Sequence, residues 1–433
     1  MDERAKGGAS GSARNTLRRE LTLVDAVAVG LGAIIGAGIY VVTGVAAGVA
    51  GPAFIVGLAI AGLVAACNAL SSAQLAATYP QAGGTYEYGY QVLHPWAGFG
   101  AGWMFLASKL AAAGTVALGF AGYLSALLPG LPERPVAVVT VVVLTAVNLG
   151  GIKKAGRLNL AIVAVSAAAL IYLVVAGVPA FDLGNLTPFA PRGLGGVLRS
   201  AALLFFAYTG YARLATLGEE VRSPRSTIPR AIAISLGCAS LLYVLVAVVA
   251  VGGVGAEALA TTSSPLERAA ESFRLAGVGQ VVAVGATVAM LGVLLSQILG
   301  ISRMLYAMAR RGDLPAAMSH VSARHGVPDR AIVLTGLVAI VVVLFGTLES
   351  IVAAASFTIL LYYGVANLAA WRMRREDKLY PDWVPLLGMA SCALLAATLP
   401  LPTILSGVAL LTAGIVWRWL WRRRSRSARL PLG

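Results

Sequence analysis

The feature that most constrains this chain is a succession of apolar segments, each about as long as a lipid bilayer is thick. Hydropathy outlines twelve of them, at residues 22–47, 52–78, 96–128, 135–149, 157–178, 197–217, 229–253, 277–309, 330–347, 349–371, 383–399 and 401–420. One membrane-spanning helix needs about 20 apolar residues, so twelve need about 240. Apolar residues make up 58% of the 433-residue chain, which meets that demand and leaves no room for a separate soluble domain. We therefore predict an all-α integral membrane protein with twelve transmembrane helices.

The positive charges are distributed unevenly among the connecting segments. If the N-terminal tail (residues 1–21) is cytoplasmic, 25 of the 33 Lys and Arg fall on the cytoplasmic side, five on the outer side and three within spans. This bias follows the positive-inside rule for an even number of spans. It predicts a multi-pass protein of the cell membrane, plasma or inner, with both termini in the cytoplasm.

The basic tail, residues 421–433, is expected to bind anionic lipid at the membrane surface. The net charge of +15 does not indicate nucleic-acid binding, since no folded nucleic-acid-binding module adjoins the basic run. A small-molecule substrate and membrane lipid are thus the expected partners, and we expect a monomer.

Residue types that carry enzyme chemistry are scarce in the apolar segments. All three histidines fall in loops, and the sequence contains neither H-E-x-x-H nor G-x-S-x-G. The three cysteines have no metal-binding spacing. We therefore predict no enzyme activity, no catalytic residue, no metal and no cofactor.

The first apolar segment contains the glycine-rich stretch GLGAIIGAGIYVVTG, residues 30–44. Each glycine costs a helix about 1 kcal/mol relative to alanine. A helix-packing face explains Gly32 and Gly36, which have the GxxxG spacing. It does not explain Gly36-Ala37-Gly38, whose glycines lie on different faces. A local break in the helix explains them better, because unwound backbone at membrane depth normally lines a cavity.

The sixth segment, LLFFAYTGYARLATLGEE, places Gly210 among aromatic residues. A single packing glycine is the alternative interpretation here too. The two candidate breaks, however, lie in spans one and six of a core that divides into five plus five helices. Glycine-interrupted segments at matching positions of two halves indicate a transporter substrate site. Helix N-termini there would bind a carboxylate and free carbonyls an ammonium, which suits a zwitterionic amino acid.

Three motifs resemble those of the amino acid–polyamine–organocation superfamily, and its cationic-amino-acid-transporter-like permeases in particular. They are GAIIGAGIY in span one, FFAYTGYARLATLGEEVRSPRSTIP through span six, and SRMLYAMARRGDLP at the end of span eight. The resemblance covers about residues 20–420. It implies a leucine-transporter-type fold with alternating access, in which an inverted repeat of five helices each (22–178 and 197–371) is followed by two further helices (383–420).

The resemblance also implies a set of substrate-binding residues. Backbone N–H groups of span one would bind the substrate carboxylate, and carbonyls of both breaks its amino group. An aromatic side chain of span six would close over the substrate. The matching positions are Gly36, Ala37 and Gly38 for the carboxylate, Ile34, Phe206, Ala207 and Thr209 for the amino group, and Phe206 or Tyr208 for the aromatic residue.

Two positions depart from the family pattern. Ala212 and then Arg213 follow the span-six glycine–aromatic pair, where relatives often carry an acid. Ser166 stands where proton-coupled relatives often carry a lysine, so proton coupling, sodium coupling and exchange all remain open. We favour sodium-independent transport, because no ample set of oxygen ligands is evident. We also favour small or apolar neutral amino acids, because no acid lies mid-span to pair a cationic side chain.

Charged residues within spans are costly and mark function by default. Arg213 shares a helical face with Glu220, seven residues on. We predict that Arg213 lines the inward-facing pathway and the inner gate, the alternative being that it reaches the cytoplasmic surface along its own helix. For Lys109, a functional role, such snorkelling and a contact with a tyrosine hydroxyl or a carbonyl are all open.

Other functions fit parts of the pattern. A polyamine or amine permease or exchanger would use the same fold. A transport-inactive amino acid sensor also fits the sequence. An ion channel would need rings of acids or a carbonyl filter, and neither pattern occurs.

Overall fold

The computed structural model describes residues 21–79, 83–151, 155–215 and 221–427. In this part of the chain the protein is all-helical, with a single parallel bridge between Leu21 and Val221. Its α-helices are α1 Leu23–Ile34, α2 Ala37–Ala50, α3 Phe54–Thr78, α4 Thr85–Tyr88, α5 Pro95–Leu127, α6 Glu133–Leu149, α7 Ala155–Gly177, α8 Gly193–Tyr208, α9 Ala212–Ala215, α10 Pro224–Ala260, α11 Pro265–Glu271, α12 Val278–Arg310, α13 Asp329–Phe345, α14 Leu348–Arg372, α15 Trp383–Ala397 and α16 Leu401–Ser427.

Seven helical segments of the described chain are long and apolar enough to cross a membrane. They contain α2 with α3, α5, α7, α10, α12, α14 and α16. The helices α6, α8 and α13 have 17, 16 and 17 residues, and α1 and α15 are shorter still. The structure is therefore that of a helical, multi-pass membrane protein, while the count of twelve spans stays a prediction.

The core is built from small and aliphatic side chains that let the helices approach closely. Helix α5 packs along both α12 and α14, while α8 packs along α2 and α3. Large apolar side chains on the outer faces of the helices are exposed, for example Leu241 of α10 and Leu337 of α13. Exposed aliphatic side chains on membrane-length helices are the expected lipid-facing surface.

The short helix α11 packs against α2 and α12 and is hydrogen-bonded to the last turns of α5. The Tyr123 hydroxyl on α5 donates to the Tyr40 carbonyl on α2 over 2.8 Å and accepts from the Leu266 N–H on α11 over 3.1 Å. Gly255, near the end of α10, has φ of +79° and turns the chain towards this helix. A conformation with positive φ favours glycine because it lacks a Cβ. Helix α11 thus covers one end of the bundle.

The opposite end carries a buried charged cluster around Asp313, which follows α12. Asp313 and Arg418 of α16 are both fully buried, and the Arg418 Nε lies 3.1 Å from the Asp313 Oδ1. Arg422 Nη2 lies 3.2 Å from the same oxygen, and the Tyr86 hydroxyl donates to Oδ2 over 2.8 Å. The Tyr90 hydroxyl also donates to this carboxylate. These contacts attach α16 to the remainder of the bundle, since most of its other large side chains are exposed.

Helix α16 extends beyond residue 420, where the hydropathy of the sequence falls. It continues to Ser427 through the basic run. Arg422, which the sequence assigns to a lipid-binding tail, instead contacts Asp313. The aromatic ring of Trp419 lies against the guanidinium of Arg423, at 3.6 Å from the ring centroid.

Next to this cluster, Arg311 forms an ion pair with Glu87 of α4, with 2.7 Å between Nη2 and Oε2. The guanidinium also lies over the Tyr90 ring, 4.3 Å from its centroid. Burial by itself lowers the pKa of Arg311. The Glu87 carboxylate, together with the hydroxyls of Tyr86 and Tyr90, outweighs this effect and raises the pKa. The segment between α3 and α5 is thereby tied to the end of α12.

Candidate functional site

The first glycine-rich segment is not continuously helical. Helix α1 ends at Ile34, Ile35 has an extended backbone (φ −72°, ψ 100°), and α2 begins at Ala37. Gly36 between them is fully extended, and no side chain caps the N-terminus of α2. The first N–H groups of a helix have no partner within it, and they carry the positive end of the helix dipole. The interruption therefore places the first N–H groups of α2, which have no partner within their helix, beside the terminal carbonyls of α1.

The second glycine-rich segment changes its helical geometry around Gly210. Helix α8 ends at Tyr208, residues Thr209–Tyr211 form a 3₁₀ turn, and α9 follows with only four residues. The Thr209 hydroxyl donates to the Phe206 carbonyl over 2.9 Å. The helix tightens at this point, so the Phe206 carbonyl accepts from the N–H of Thr209, three residues on, as well as from its hydroxyl.

The two segments cross with reciprocal close contacts that only glycine permits. A Cβ added to Gly38 would lie 2.4 Å from the Cα of Ala207, and one added to Gly210 would lie 1.9 Å from the carbonyl oxygen of Ala33. Each glycine thus faces the backbone of the other segment. The predicted residues Gly38 and Ala207 are in contact here, and their small size is explained by packing. Close packing of Gly38 and Ala207 leaves room for a substrate site beside this contact only if other residues line it.

Gly36 differs from these two glycines. A Cβ on Gly36 would meet one atom within 4 Å, the Cγ2 of Val293 on α12, at 2.9 Å. Gly36 therefore faces α12 rather than the crossing.

Two tyrosines that the sequence analysis did not single out bind the carbonyls of this region. The Tyr243 hydroxyl on α10 donates to the Ile34 carbonyl over 2.6 Å and lies 3.5 Å from the Ala207 carbonyl oxygen. The Tyr363 hydroxyl on α14 donates to the Thr209 carbonyl over 3.4 Å. Buried hydroxyls that hold main-chain carbonyls fix their direction, because an unpaired carbonyl in the membrane is costly. No sequence signal distinguishes these tyrosines from other aromatic residues of the apolar segments.

The two aromatic candidates of α8 occupy different surroundings. Tyr208 is fully buried, its hydroxyl donates to the Leu58 carbonyl on α3 over 3.3 Å, and its ring centroid lies 5.4 Å from that of Tyr243. Phe206 is 8% exposed and its side chain carries no hydrogen-bonding group. Phe206 is thus the freer of the two to cover a substrate.

Ser166 on α7 is fully buried and faces α2. Its hydroxyl donates to the Tyr40 hydroxyl over 3.3 Å, and the Tyr40 hydroxyl donates to the Ser166 carbonyl over 3.0 Å. The polar groups of Ser166 are therefore satisfied by α2. The structure thus joins Ser166 to the helix that begins at the interruption, through Tyr40, four residues after Gly36.

The remaining predicted residues take no part in the contacts of the crossing, and one of them lies outside the described chain. Arg213 lies on α9 with an exposed side chain. Glu220 lies outside the described residues, so the structure gives no geometry for the proposed pair. Lys109 lies on α5, with its Nζ 5.7 Å from the centroid of the Phe105 ring. Within the described ranges no group of three His, Cys, Asp or Glu residues is placed to hold a metal ion.

Comparison with known proteins adds to this geometry. The amino acid permease family matches residues 25–418. An uncharacterised transporter of Mycobacterium tuberculosis is 43% identical over 95% of this chain and 93% of its own. The methylthioribose transporter of Bacillus subtilis is 30% identical over 95% of both chains, and the branched-chain amino acid permease BcaP of the same organism is 28% identical over 96% of both.

Proposed function

Because the chain belongs to the amino acid permease family of the amino acid–polyamine–organocation superfamily, we propose that it carries amino acids across the cell membrane by alternating access. The family and the relatives are transporters rather than enzymes. The interruption between α1 and α2 is the observation that carries the proposal, because the last carbonyls of α1 and the first N–H groups of α2, which have no partner within their own helices, meet there in an apolar bundle.

In this proposal the substrate carboxylate binds the N–H groups of Gly36, Ala37 and Gly38. The uncapped N-terminus of α2 supports this assignment, since its dipole favours an anion. The substrate ammonium binds carbonyl oxygens at the ends of α1 and α8. The candidates are Ile34, Phe206, Ala207 and Thr209.

The direction of these carbonyls supports that assignment. The Tyr243 hydroxyl donates to the Ile34 carbonyl, and the Thr209 carbonyl accepts from both the Tyr363 hydroxyl and the Ala212 N–H. A carbonyl oxygen has two lone pairs, so the Ile34 carbonyl can accept a second donor from the substrate. Phe206 then covers the bound amino acid.

The cargo that fits best is a small or apolar neutral amino acid. The residue facing Gly36 is Val293, and the nearby Ile35 and Phe206 are apolar as well. The relatives differ in their cargo, since one is named for methylthioribose and another for branched-chain amino acids. A polyamine or amine permease or exchanger, and a transport-inactive amino acid sensor, are the functions to be tested against this one.

We further propose a leucine-transporter-type architecture of twelve helices, with both termini in the cytoplasm. The reciprocal contacts Gly38–Ala207 and Gly210–Ala33 support two halves of opposite orientation that meet at the site. We also propose transport that does not depend on sodium. The Ser166 hydroxyl supports this, because it is already bonded to Tyr40.

The proposal is tested first with purified protein in liposomes. Binding and counterflow are measured with a panel of L-leucine, L-alanine, L-arginine, L-glutamate, putrescine and methylthioribose. We expect saturable counterflow of L-leucine or L-alanine and none of putrescine. Binding without counterflow would support a sensor, and counterflow of putrescine alone would support an amine permease.

The site itself is tested with Gly36→Ala. A methyl group there would press only on the Val293 side chain, so we expect a folded protein with at least about tenfold weaker L-leucine binding. Gly364→Ala on α14 is the matched control, because a Cβ at Gly364 meets nothing within 4 Å. Unchanged binding in a folded Gly36→Ala protein would contradict the assignment.

A further inference from the structure

Two polar side chains of membrane-length helices have no hydrogen-bonding partner among the described residues. The ammonium of Lys109 on α5 contacts only the Phe105 ring. The amide oxygen Oε1 of Gln297 on α12 is buried without a partner in the same part of the chain. An unpaired charge at membrane depth costs at least about 2.5–3.5 kcal/mol on insertion scales, so Lys109 requires an explanation.

The packing of α5 against α12 places these two side chains opposite each other. A Cβ on Gly102 would lie 3.2 Å from the Met304 Cε, and one on Gly119 would lie 3.2 Å from the Met290 Sδ. The two helices are therefore antiparallel. Lys109 follows Gly102 by seven residues, and Gln297 precedes Met304 by seven. Seven residues are close to two helical turns, so both side chains lie on the facing surfaces at one level.

This level adjoins the interruption between α1 and α2. Gln297 lies one turn of α12, about 6 Å, beyond Val293, the residue that faces Gly36. It lies on the side of Val293 towards the Asp313 cluster. Val293 and Gln297 are partly exposed, whereas Leu294 and Ile298 beside them are buried. Lys109 is partly exposed as well.

We propose that Lys109 and Gln297 form a carboxylate-binding subsite on the route between Gly36 and the cytoplasm. The proposal rests on the amino acid transport proposed above. The Lys109 ammonium and the Gln297 amide N–H donate to the α-carboxylate of an amino acid that has left the N–H groups of α2. The Gln297 amide oxygen accepts a hydrogen bond from the Lys109 ammonium and orients this ammonium towards the route. A carboxylate crossing an apolar passage is strongly disfavoured, and a cation one turn away lowers that barrier.

The subsite predicts a difference between the two faces of the membrane. A substrate entering from the outside reaches Gly36 without passing Lys109, whereas one entering from the cytoplasm passes it first. Removing the ammonium should therefore weaken the apparent affinity measured from the cytoplasmic face. The affinity from the outer face should not change.

The test measures the KM for L-leucine from each face, in right-side-out and inside-out vesicles. We expect Lys109→Met to raise the cytoplasmic KM about tenfold and the outer KM less than twofold. Lys109→Arg keeps the charge and should restore most of the cytoplasmic affinity. Gln297→Leu, which removes the amide at nearly constant size, should raise the cytoplasmic KM by a smaller factor. Leu110→Met is the control for a methionine at the same depth and should leave both values unchanged.

Equal changes on both faces would overturn the subsite and assign Lys109 to the central site or to folding. Wild-type KM values on both faces in Lys109→Met and Gln297→Leu would overturn it as well. Lack of L-leucine transport by the wild-type protein is a separate outcome. It would reject the proposed cargo, and the carboxylate subsite would fall with it.

Discussion

At the scale of single residues, the glycines of the two glycine-rich segments have different surroundings. Gly38 and Gly210 permit backbone contact between the segments, while Gly36 leaves room in front of the first N–H groups of α2. A sequence shows that glycines are crowded but not which of them faces a helix and which faces a ligand. The distinction depends on the residue that each glycine faces in another helix. Gly38 faces Ala207, Gly210 faces Ala33 and Gly36 faces Val293. Substitutions at these glycines should therefore fail in different ways.

The clearest case is Gly210→Ala. The new Cβ would lie 1.9 Å from the Ala33 carbonyl oxygen, so the two segments must separate. Overpacking in a core typically costs about 1–3 kcal/mol, and contact with backbone places this case at the upper end. We expect a lower melting temperature in detergent or poor folding.

Gly364→Ala is again the control, since the added methyl group meets open space and alanine favours a helix by about 1 kcal/mol. Its melting temperature should equal or exceed that of the wild type. A Gly210→Ala protein as stable as Gly364→Ala would contradict the close crossing of the segments.

At the scale of elements, buried charges hold the basic end of α16 against the bundle. Asp313 provides the counter-charge for both Arg418 and Arg422, and Arg418 is fully buried. Taking away one partner of a buried ion pair typically costs about 3–5 kcal/mol, because the other charge stays behind without compensation. We expect Asp313→Asn to lower the melting temperature strongly and to expose the junction before α16 to protease.

The control for Asp313→Asn is Glu349→Gln, which breaks a partly exposed ion pair with Arg199. Exposed pairs contribute at most about 1 kcal/mol, so its melting temperature should barely change. The double variant Asp313→Asn with Arg418→Met should recover part of the stability, since it leaves fewer unpaired charges. Equal effects of Asp313→Asn and Glu349→Gln would show that the cluster does not anchor α16.

The fold class could be predicted from the sequence, whereas several side-chain contacts could not, for physical reasons. The all-helical membrane class and the superfamily follow from apolar length and from three motifs, and both are confirmed. The Asp313 cluster could not be predicted. Asp313 is a loop acid at the end of a motif, and its partner Arg418 lies 105 residues later among the charges of a basic tail. Tyr243 was missed because an aromatic residue in an apolar run looks the same whether or not its hydroxyl binds a carbonyl.

At the scale of the whole molecule, the two ends of the bundle differ in character. Helix α5, 33 residues long, begins near Arg418 and ends beside α11. The Asp313 cluster and the segment 254–276 therefore lie at opposite ends of a helix about 50 Å long. The positive-inside rule assigns the Arg-rich end to the cytoplasm.

This orientation is tested with a reporter that matures only in the cytoplasm. We expect signal from a fusion at Gly433 and none from an insertion in the loop at 254–276. A matched insertion in the segment 316–328, next to Asp313, should give signal. Signal from the 254–276 insertion with none from Gly433 would invert the orientation.

The crossing of the two interrupted segments also sets an order of events during synthesis. Gly38 and Ala207, which touch in the finished protein, are about 170 residues apart along the chain. A ribosome adds about 5–20 residues per second, so the first segment waits about 10–35 s before its partner has been made. During that interval the Ile34 carbonyl lacks Tyr243 as well, because Tyr243 is made later still. The newly inserted first half must keep its interruption hydrated or in contact with the insertion machinery until the second half arrives.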